Sequence, residues 1–390
     1  MKKLQRHGER FKGLTLGLDL HKKMIQYSVL DEAGDETAND RMAAKAAELS
    51  ALTDRLTVGG QALQVVVEAS GCFVWAYDLL AEKIGRANVH VAAPSRVRAI
   101  AESSQKTDET DAWWLAYLLY ERRLPEAFVA EGDLRELRIA GRELRSVTDE
   151  RSDLMRRLKS HLAQLGLSFR SSDWSSMVGR KRIEALVKEV RQRHGLRGQA
   201  IWRLWKRIRR LSVERTYWQQ QVEQLGEKFD EVTLLDQQLP GTGPVIAAII
   251  WSELGDPQRY RSAKAYAKAT GLTPGYRRSA GKTSKKKITR EGSALVRWAL
   301  TRAVVSTLRT SKPGAGLWIK RWVGHQAKRK PKKWAIVCAA RKLAEGVWRL
   351  FAWGEAFDLS RAFGYRPLPP QANPPQARAG DACEAPNAAA

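Results

Sequence analysis

Cysteine is scarce: Cys72, Cys338 and Cys383 are the only three in 390 residues, and none has the paired spacing of a zinc site or a disulfide framework. Ordinary reduced thiols are expected, as in a cytosolic chain. Long apolar runs are also missing. There is no stretch of about 18 uncharged apolar residues, and the basic "MKKLQRHGERFKG" is not followed by a signal-peptide core, so a cytoplasmic protein without a membrane partner is predicted. Acidic residues are in deficit, 42 Asp and Glu against 68 Lys and Arg, which leaves a net charge of +26. A surplus of that size repels itself unless a polyanion relieves it, and nucleic acid is the first polyanion to consider. Apolar material is not lacking. Hydrophobic residues make up 43% of the chain, enough for cores in two or three domains and too much for a disordered protein.

The first segment alternates strand and helix signals. "LTLGLDL" and "MIQYSVLDEAGD" read as a hairpin, and "ALQVVVEAS" and "ANVHVAAP" as buried strands. Between the last two, "GCFVWAYDLLAEKIG" is apolar at helical spacing and closed by Gly85, so a βαβ unit with a parallel pair is predicted. This α/β domain is expected over 1–128. From Asp133 to about Leu235 strand signals vanish. Leu137, Leu144, Leu158 and Leu165 fall on one seven-residue comb broken only by Arg151, and Leu134, Met155 and Leu162 fall on a second. The series Ile201, Leu204, Ile208, Leu211, Arg215, Trp218, Val222, Leu225, Phe229 and Val232 keeps three-four spacing with one polar interruption. Two long helices separated by "SFRSSDWSSMVGRK" are predicted, as a coiled-coil arm over 129–235 that forms either an antiparallel hairpin or a dimer seam. Ordinary amphipathic helices packed on a core are the alternative. A mainly helical C-terminal domain is expected over 236–362. The tail over 363–390 is rich in Pro and Ala and is expected to be disordered: from Arg366 it holds six prolines and eight alanines.

Chemistry is suggested by carboxylates. "KTDETDAWWLAYLL" places Asp108 and Asp111 three residues apart, on the helix face that Leu115 and Leu118 continue, where two negative charges repel unless a cation sits between them. Asp19 and Glu68 each end a predicted strand, and parallel neighbours put such ends on one edge of the sheet, where α/β sites collect. Four converging carboxylates call for hard divalent ions with oxygen ligands, Mg²⁺ or Mn²⁺, which can stabilise both oxygens of a phosphodiester displacement. Any one of these residues could instead be a turn or cap residue. Histidines show no metal-ligand spacing, and His21 is expected to be structural. In "LPGTGPVIAAIIWSELGD", Gly241 and Gly243 allow a tight turn into a helix whose first N–H groups are free, an anion site of helix-hairpin-helix type. A plain helix-initiating turn that packs Val245 and Ile249 would look the same. Tryptophans among basic residues, as in "IWRLWKRIRR", can stack on unpaired bases or lie half-buried under Lys and Arg stems. Trp113 and Trp114 are expected in the core.

The order "GLDLHK", "VVVEASG", "QKTDETDAWWLA", a long helical insertion and "LPGTGPVIAAIIWSELGDPQRYRSAKAYAKATGLTPGYRRSAGK" resembles the DEDD transposases of insertion-sequence family one-ten over nearly all of residues 13–357. The resemblance implies a RuvC-like, ribonuclease-H-type domain with Asp19, Glu68, Asp108 and Asp111 as the catalytic, metal-binding tetrad. It also implies a C-terminal transposase domain with a catalytic serine at the position of Ser279. The pattern here is Ser-Ala-Gly where that family often has Ser-Gly or Ser-Ser-Gly, which leaves Ser284 as a second candidate. Between Gly271 and Arg290 stand seven basic residues and no acidic one: Arg277, Arg278, Lys282, Lys285, Lys286, Lys287 and Arg290. They suit a loop pressed against phosphates, in which the serine could also be a bystander. By resemblance the partners are duplex and junction DNA, a structured non-coding guide RNA, and further copies of the chain in a dimer or tetramer with composite sites. Two other readings stay open: a RuvC-type junction nuclease that uses water, and a non-catalytic nucleic-acid-binding protein.

Overall fold

A computed structural model describes residues 11–94, 97, 108–279, 282–309, 315–329 and 331–364, with the backbone alone at 108–109, 171, 276–279, 282–287 and 315. The expected Pro/Ala-rich tail lies outside the described residues from 365 onward, as does Cys383. The chain divides into two compact units, Met1–Val129 and Ala130–Ala390.

The first unit is built on a five-stranded sheet: β1 (Leu14–Leu20), β2 (Met24–Leu30), β3 (Glu36–Ala43), β4 (Leu63–Glu68) and β5 (Val89–Ala92), in the order β3-β2-β1-β4-β5. β1, β2 and β3 form an antiparallel meander, while β1, β4 and β5 run parallel. The hairpin and the parallel pair form as expected. β3 is an addition that the pattern of apolar residues hides. Its sequence "ETANDRMA" is an exposed edge with no alternating apolar face to mark it.

Alternation along the central strands sorts side chains onto two faces. Leu16, Leu18, Leu63, Val65 and Val67 pack in one cluster with Leu49 and Leu52 of α1 (Ala46–Leu56) and Ala76 and Leu80 of α2 (Phe73–Ile84). On the other face Val66 meets Leu115, Leu118 and Leu119 of α3 (Asp108–Tyr120). Gly17 lies under the same helix. A Cβ there would stand 2.2 Å from the Ala112 carbonyl oxygen and 2.6 Å from the Ala116 nitrogen, so only glycine allows this approach. Trp113 and Trp114 are half-buried rather than core residues, and Trp113 stacks on Tyr117 at 4.9 Å.

The second unit is mostly helical. α4 (Gly132–Ala163) and α6 (Gly195–Gly226) lie antiparallel, as Lys228–Asp133, Arg207–Glu150 and Arg151–Ser212 contacts along their length show. The predicted second long helix is not continuous: α6 stops at Gly226 and a separate helix starts at Asp230, so Phe229 and Val232 of the predicted series lie beyond α6, and the stretch before α6 is a helix of its own. α5 (Met177–Arg193) begins inside the segment expected as a linker, and the chain then breaks at His194 and Gly195, the latter at φ 45°. α5 folds back on α6, where Ile183, Val187 and Val190 pack with Leu154, Leu158, Leu162, Ile201 and Ile208. The far end of the arm is therefore a three-helix cluster rather than a two-helix coil. At the other end, Leu137, Leu144 and Val222 belong to the main core.

That core contains α7 (Asp230–Gln238), α8 (Pro244–Leu254), α9 (Ala263–Ala269), α10 (Ala294–Thr307), α11 (Ala315–Ala327), α12 (Lys332–Trp353) and α13 (Leu359–Phe363). α8 is apolar apart from Ser252 and Glu253 near its end, and is buried from Ala247 to Leu254. The stretch expected as a basic loop is instead a hairpin of β6 (Pro274–Ser279) and β7 (Lys282–Ile288). Among the described residues no helix is long and apolar enough to cross a membrane.

Candidate active site

In the first unit, β1 and β4 are registered Leu18 to Val67, so Asp19 and Glu68 stand one step further, at the C-terminal ends of neighbouring parallel strands. Neighbours in a sheet are about 4.8 Å apart. Alternation places both on the face covered by α3, opposite the face of Leu18 and Val67. The direction of α3 is fixed by its far end: the Tyr120 hydroxyl donates to the Ala33 carbonyl at 2.8 Å, beyond Leu30, which pairs with Thr15 at the start of β1. The helix therefore begins at the end of the sheet where β1 finishes. Asp111 is half-buried in its first turn. Asp108 opens the helix, and its side chain lies outside what is described.

Asp19 is 7% exposed, and its Oδ2 lies 3.2 Å from Nε2 of His21. His21 thus touches the carboxylate that it follows in sequence, which gives the ring a supporting position. Cys72, just before α2, sits beside the same strand end, its Sγ 3.8 Å from the Leu20 carbonyl. The donors are all carboxylate oxygens, which fits a hard divalent cation and not a soft one. Among the described side chains no three such groups converge on a single point.

The second unit holds the serine hairpin. β6 and β7 are registered so that Ser279 stands opposite Lys282 and Ser284 opposite Arg277. Ser279 ends its strand, while Ser284 is two residues inside the other. The base of the hairpin is locked by features that a sequence pattern does not announce. Thr289 N–H donates to the Thr273 carbonyl at 2.9 Å and Arg290 N–H to the Gly271 carbonyl at 3.2 Å. Gly271 and Gly292 have positive φ, and a Cβ on them would stand 2.2 Å from the Glu291 oxygen and 1.9 Å from the Ala269 oxygen. Arg290 takes φ 58°, a conformation that costs a non-glycine residue and that neighbouring bonds must hold. Arg297 donates to the Gly292 carbonyl at 2.9 Å, and partial burial, with Arg290 nearby, lowers its pKa. Arg297 is the residue missed by sequence reasoning here, since one arginine on an apolar helix carries no distinguishing spacing.

Gly241 and Gly243 differ in role. A Cβ on Gly241, at φ 77°, would meet the Ala303 oxygen at 2.2 Å, so this glycine serves packing against α10. Gly243 precedes α8 with open space around it, and no side chain among the described residues caps that helix. A buried acid lies at the far end of α8. Glu253 accepts from Arg142 Nε at 2.7 Å, while Arg138 donates to the Ser252 and Glu253 carbonyls at 2.9 and 3.0 Å. Burial lowers the pKa of Arg138 to about 10.

Sequence profiles of known families match both units. Residues 16–166 match the profile of DEDD transposases of the IS110 type, described as "Transposase", and residues 235–317 match one described as "Transposase IS116/IS110/IS902 family". Both define the class as transposase, and the sheet order with helices on its faces is compatible with a ribonuclease-H-like domain followed by a helical region. The chain belongs to the IS110 family of transposases. It is 30% identical over 143 residues to a putative transposase, y4pF/y4sB, of Sinorhizobium fredii, covering 35% of this chain and 37% of the relative. It is 26% identical over 120 residues to a transposase for insertion sequence element IS1328 of Yersinia enterocolitica, covering 31% and 36%. The matched stretches span little more than a third of each relative.

Proposed function

We propose that this protein is a DNA transposase that cuts and rejoins phosphodiester bonds of a mobile element. The observation that carries this reading is the placement of Asp19 and Glu68 at adjacent strand ends, beneath the helix that opens with Asp108 and Asp111, in a chain of this family. These four residues would hold Mg²⁺ or Mn²⁺, which when bound supplies Lewis acidity at the phosphodiester oxygens. His21 would keep the Asp19 carboxylate oriented. The domain division 1–128, 129–235 and 236–362, guidance by a structured RNA, and a dimer or tetramer are supported by the family resemblance.

Ser279 is the proposed nucleophile. Its Oγ forms a bond to phosphorus as one bridging P–O bond breaks, and the departing strand hydroxyl takes up a proton, leaving a serine–DNA phosphodiester. Attack by a hydroxyl of another strand reverses the exchange, so no external energy source is needed. A serine hydroxyl is weak at neutral pH, and the basic residues Arg277, Arg278, Lys282, Lys285, Lys286, Lys287 and Arg290 favour both the phosphate and the alkoxide. Gly243 at the open start of α8 offers backbone N–H groups to a further phosphate.

The test is a trapping assay with Mg²⁺, labelled junction DNA and the element's own RNA, on denaturing gels. A protein–DNA adduct formed by wild type and lost in both Asp19→Ala and Ser279→Ala is the expected result. An adduct that survives in Ser279→Ala but is lost in Ser284→Ala would move the nucleophile. Cleavage without any adduct, unaffected by Ser279→Ala, would make the protein a nuclease that uses water.

A further inference from the structure

The comb of Leu137, Leu144, Leu158 and Leu165 in α4 is interrupted by Arg151, and the three-four series of α6 by Arg215. The antiparallel pairing brings these interruptions to one region. Arg151 Nε donates to Ser212 Oγ at 2.8 Å, and Ser212 lies one turn before Arg215 on the same helix. Ser212 satisfies one N–H of Arg151 but carries no charge, and neither arginine has a carboxylate partner among the described residues. One and a half turns back along α4, the Arg145 guanidinium lies 4.7 Å above the ring of Trp298, which brings α10 to the same place. Arg302 follows Trp298 by one turn, and Arg309 stands in the turn just past the end of α10.

Arg145, Arg151 and Arg215 are half-buried, and Arg302 and Arg309 are exposed. Among the described residues one carboxylate is paired with any of the five: Asp149, 2.8 Å from Arg145 and itself exposed. The pKa of Arg151 is lowered by partial burial and then by Arg215 and Arg180; that of Arg302 by partial burial and then by Arg309, Arg145 and Arg215. Like charges gathered at the junction of three helices destabilise the free protein. Apolar residues at 151 and 215 would complete both series.

We infer that Arg145, Arg151, Arg215, Arg302 and Arg309 form a phosphate-binding site at the junction of the arm and α10, occupied by the backbone of a nucleic-acid strand. Guanidinium groups suit this role because their planar fork binds phosphate oxygens in pairs and stays charged when half-buried. The inference rests on the nucleic-acid reading proposed above, and adds a holding site separate from the carboxylates and from the serine hairpin.

The test compares wild type, Arg151→Gln/Arg215→Gln and, as a control for general charge, Arg156→Gln. Arg156 is on the same arm and already paired with Asp153. Fluorescence anisotropy with a labelled duplex DNA and a labelled RNA hairpin is followed between about 50 and 200 mM salt. For the double variant, Kd is expected to rise about tenfold or more, and the slope of log K against log salt to become shallower by about 2. The control should move far less. An effect on DNA alone or RNA alone identifies the strand that is held. Unchanged affinity for both, with wild type binding normally, overturns the inference and leaves the proposed function standing; wild type that binds neither overturns both. A second readout guards against misfolding. Arg151→Leu should raise the melting temperature of the free protein while reducing the further rise that nucleic acid produces, whereas a purely structural arginine would give a lower melting temperature and an unchanged rise.

Discussion

The two units divide the chain's charge unequally. Residues 1–129 carry 17 Lys and Arg against 18 Asp and Glu, and residues 130–390 carry 51 against 24. The whole positive surplus therefore lies in the helical unit. A near-neutral unit gains little nonspecific attraction for a polyanion, so its carboxylates can cluster only if local cations join them to a phosphate. The basic unit is the reverse: its charge suits a phosphate backbone without metal, and among its described residues no cluster of acids is found. On the proposed reading, the acids that would hold metal and the bases that would hold phosphate are written in different halves of the sequence, with the proposed nucleophile Ser279 on the basic side.

The sharpest way to break that division is to neutralise one strand-end carboxylate. Asp19→Asn keeps the size of a nearly buried side chain and removes its charge. Strand cleavage is expected to fall on the order of 10³-fold, the scale of several kcal/mol that metal-assisted charge stabilisation supplies. DNA affinity, measured by anisotropy at fixed salt, should stay within a factor of about 2, since phosphate contacts rather than this acid set it. A large loss of affinity in Asp19→Asn would mean that the first unit holds the DNA and that the charge asymmetry is unrelated to function.

Much of this first unit is legible in sequence, because buried parallel strands write continuous apolar runs and their terminal acids interrupt them visibly. "VVVEASG" announces both β4 and Glu68. The edge strand β3 is not legible, since an exposed edge needs no apolar residue. In the helical unit the combs announce α4 and α6, but the break at His194 and Gly195 is masked by helix-forming neighbours on both sides. Arg151 and Arg215 are each visible as an interruption. Their meeting is not, because it depends on the antiparallel register of two helices joined through a third. The β6–β7 hairpin is hidden for another reason: lysine-rich strands lack the β-branched signature, and its closure depends on backbone features at Gly271, Arg290 and Gly292.

Gly17 tests how firmly α3 is set over the carboxylates. Gly17→Val introduces a side chain whose first carbon already collides with the Ala112 carbonyl, so the helix must move. A loss of about 3 kcal/mol in urea unfolding is expected, with cleavage lost more completely than the remaining folded fraction explains. Cleavage that only follows the folded fraction would show that the position of α3 does not matter to the chemistry. In the basic unit the matching test is Arg142→Gln, which leaves the buried Glu253 carboxylate without its side-chain partner. Arg142 itself keeps contact with water, so the cost should lie below that of breaking a fully buried pair, about 2 kcal/mol. If stability is unchanged, Glu253 is held by other groups, Arg138 foremost.

The smallest effect is expected where the balanced unit pairs its charges at the surface. His90 Nδ1 stands 2.8 Å from Glu126 Oε1, beside the bridge that pairs Ala92 with Glu126 next to β5. The hydrogen bond from His90 holds the Glu126 pKa below its usual value of 4.5, with burial opposing it only in part. A carboxylate whose pKa is lower in the folded than in the unfolded state contributes stability above the unfolded value, and that contribution is lost as pH falls through the folded value. Both side chains are partly exposed, so less than about 1 kcal/mol is at stake. Melting curves for wild type and Glu126→Gln should therefore differ slightly above pH about 4.5 and converge below it. A difference that persists undiminished in acid would mean that Glu126 acts through the backbone bridge to Ala92 and not through its charge.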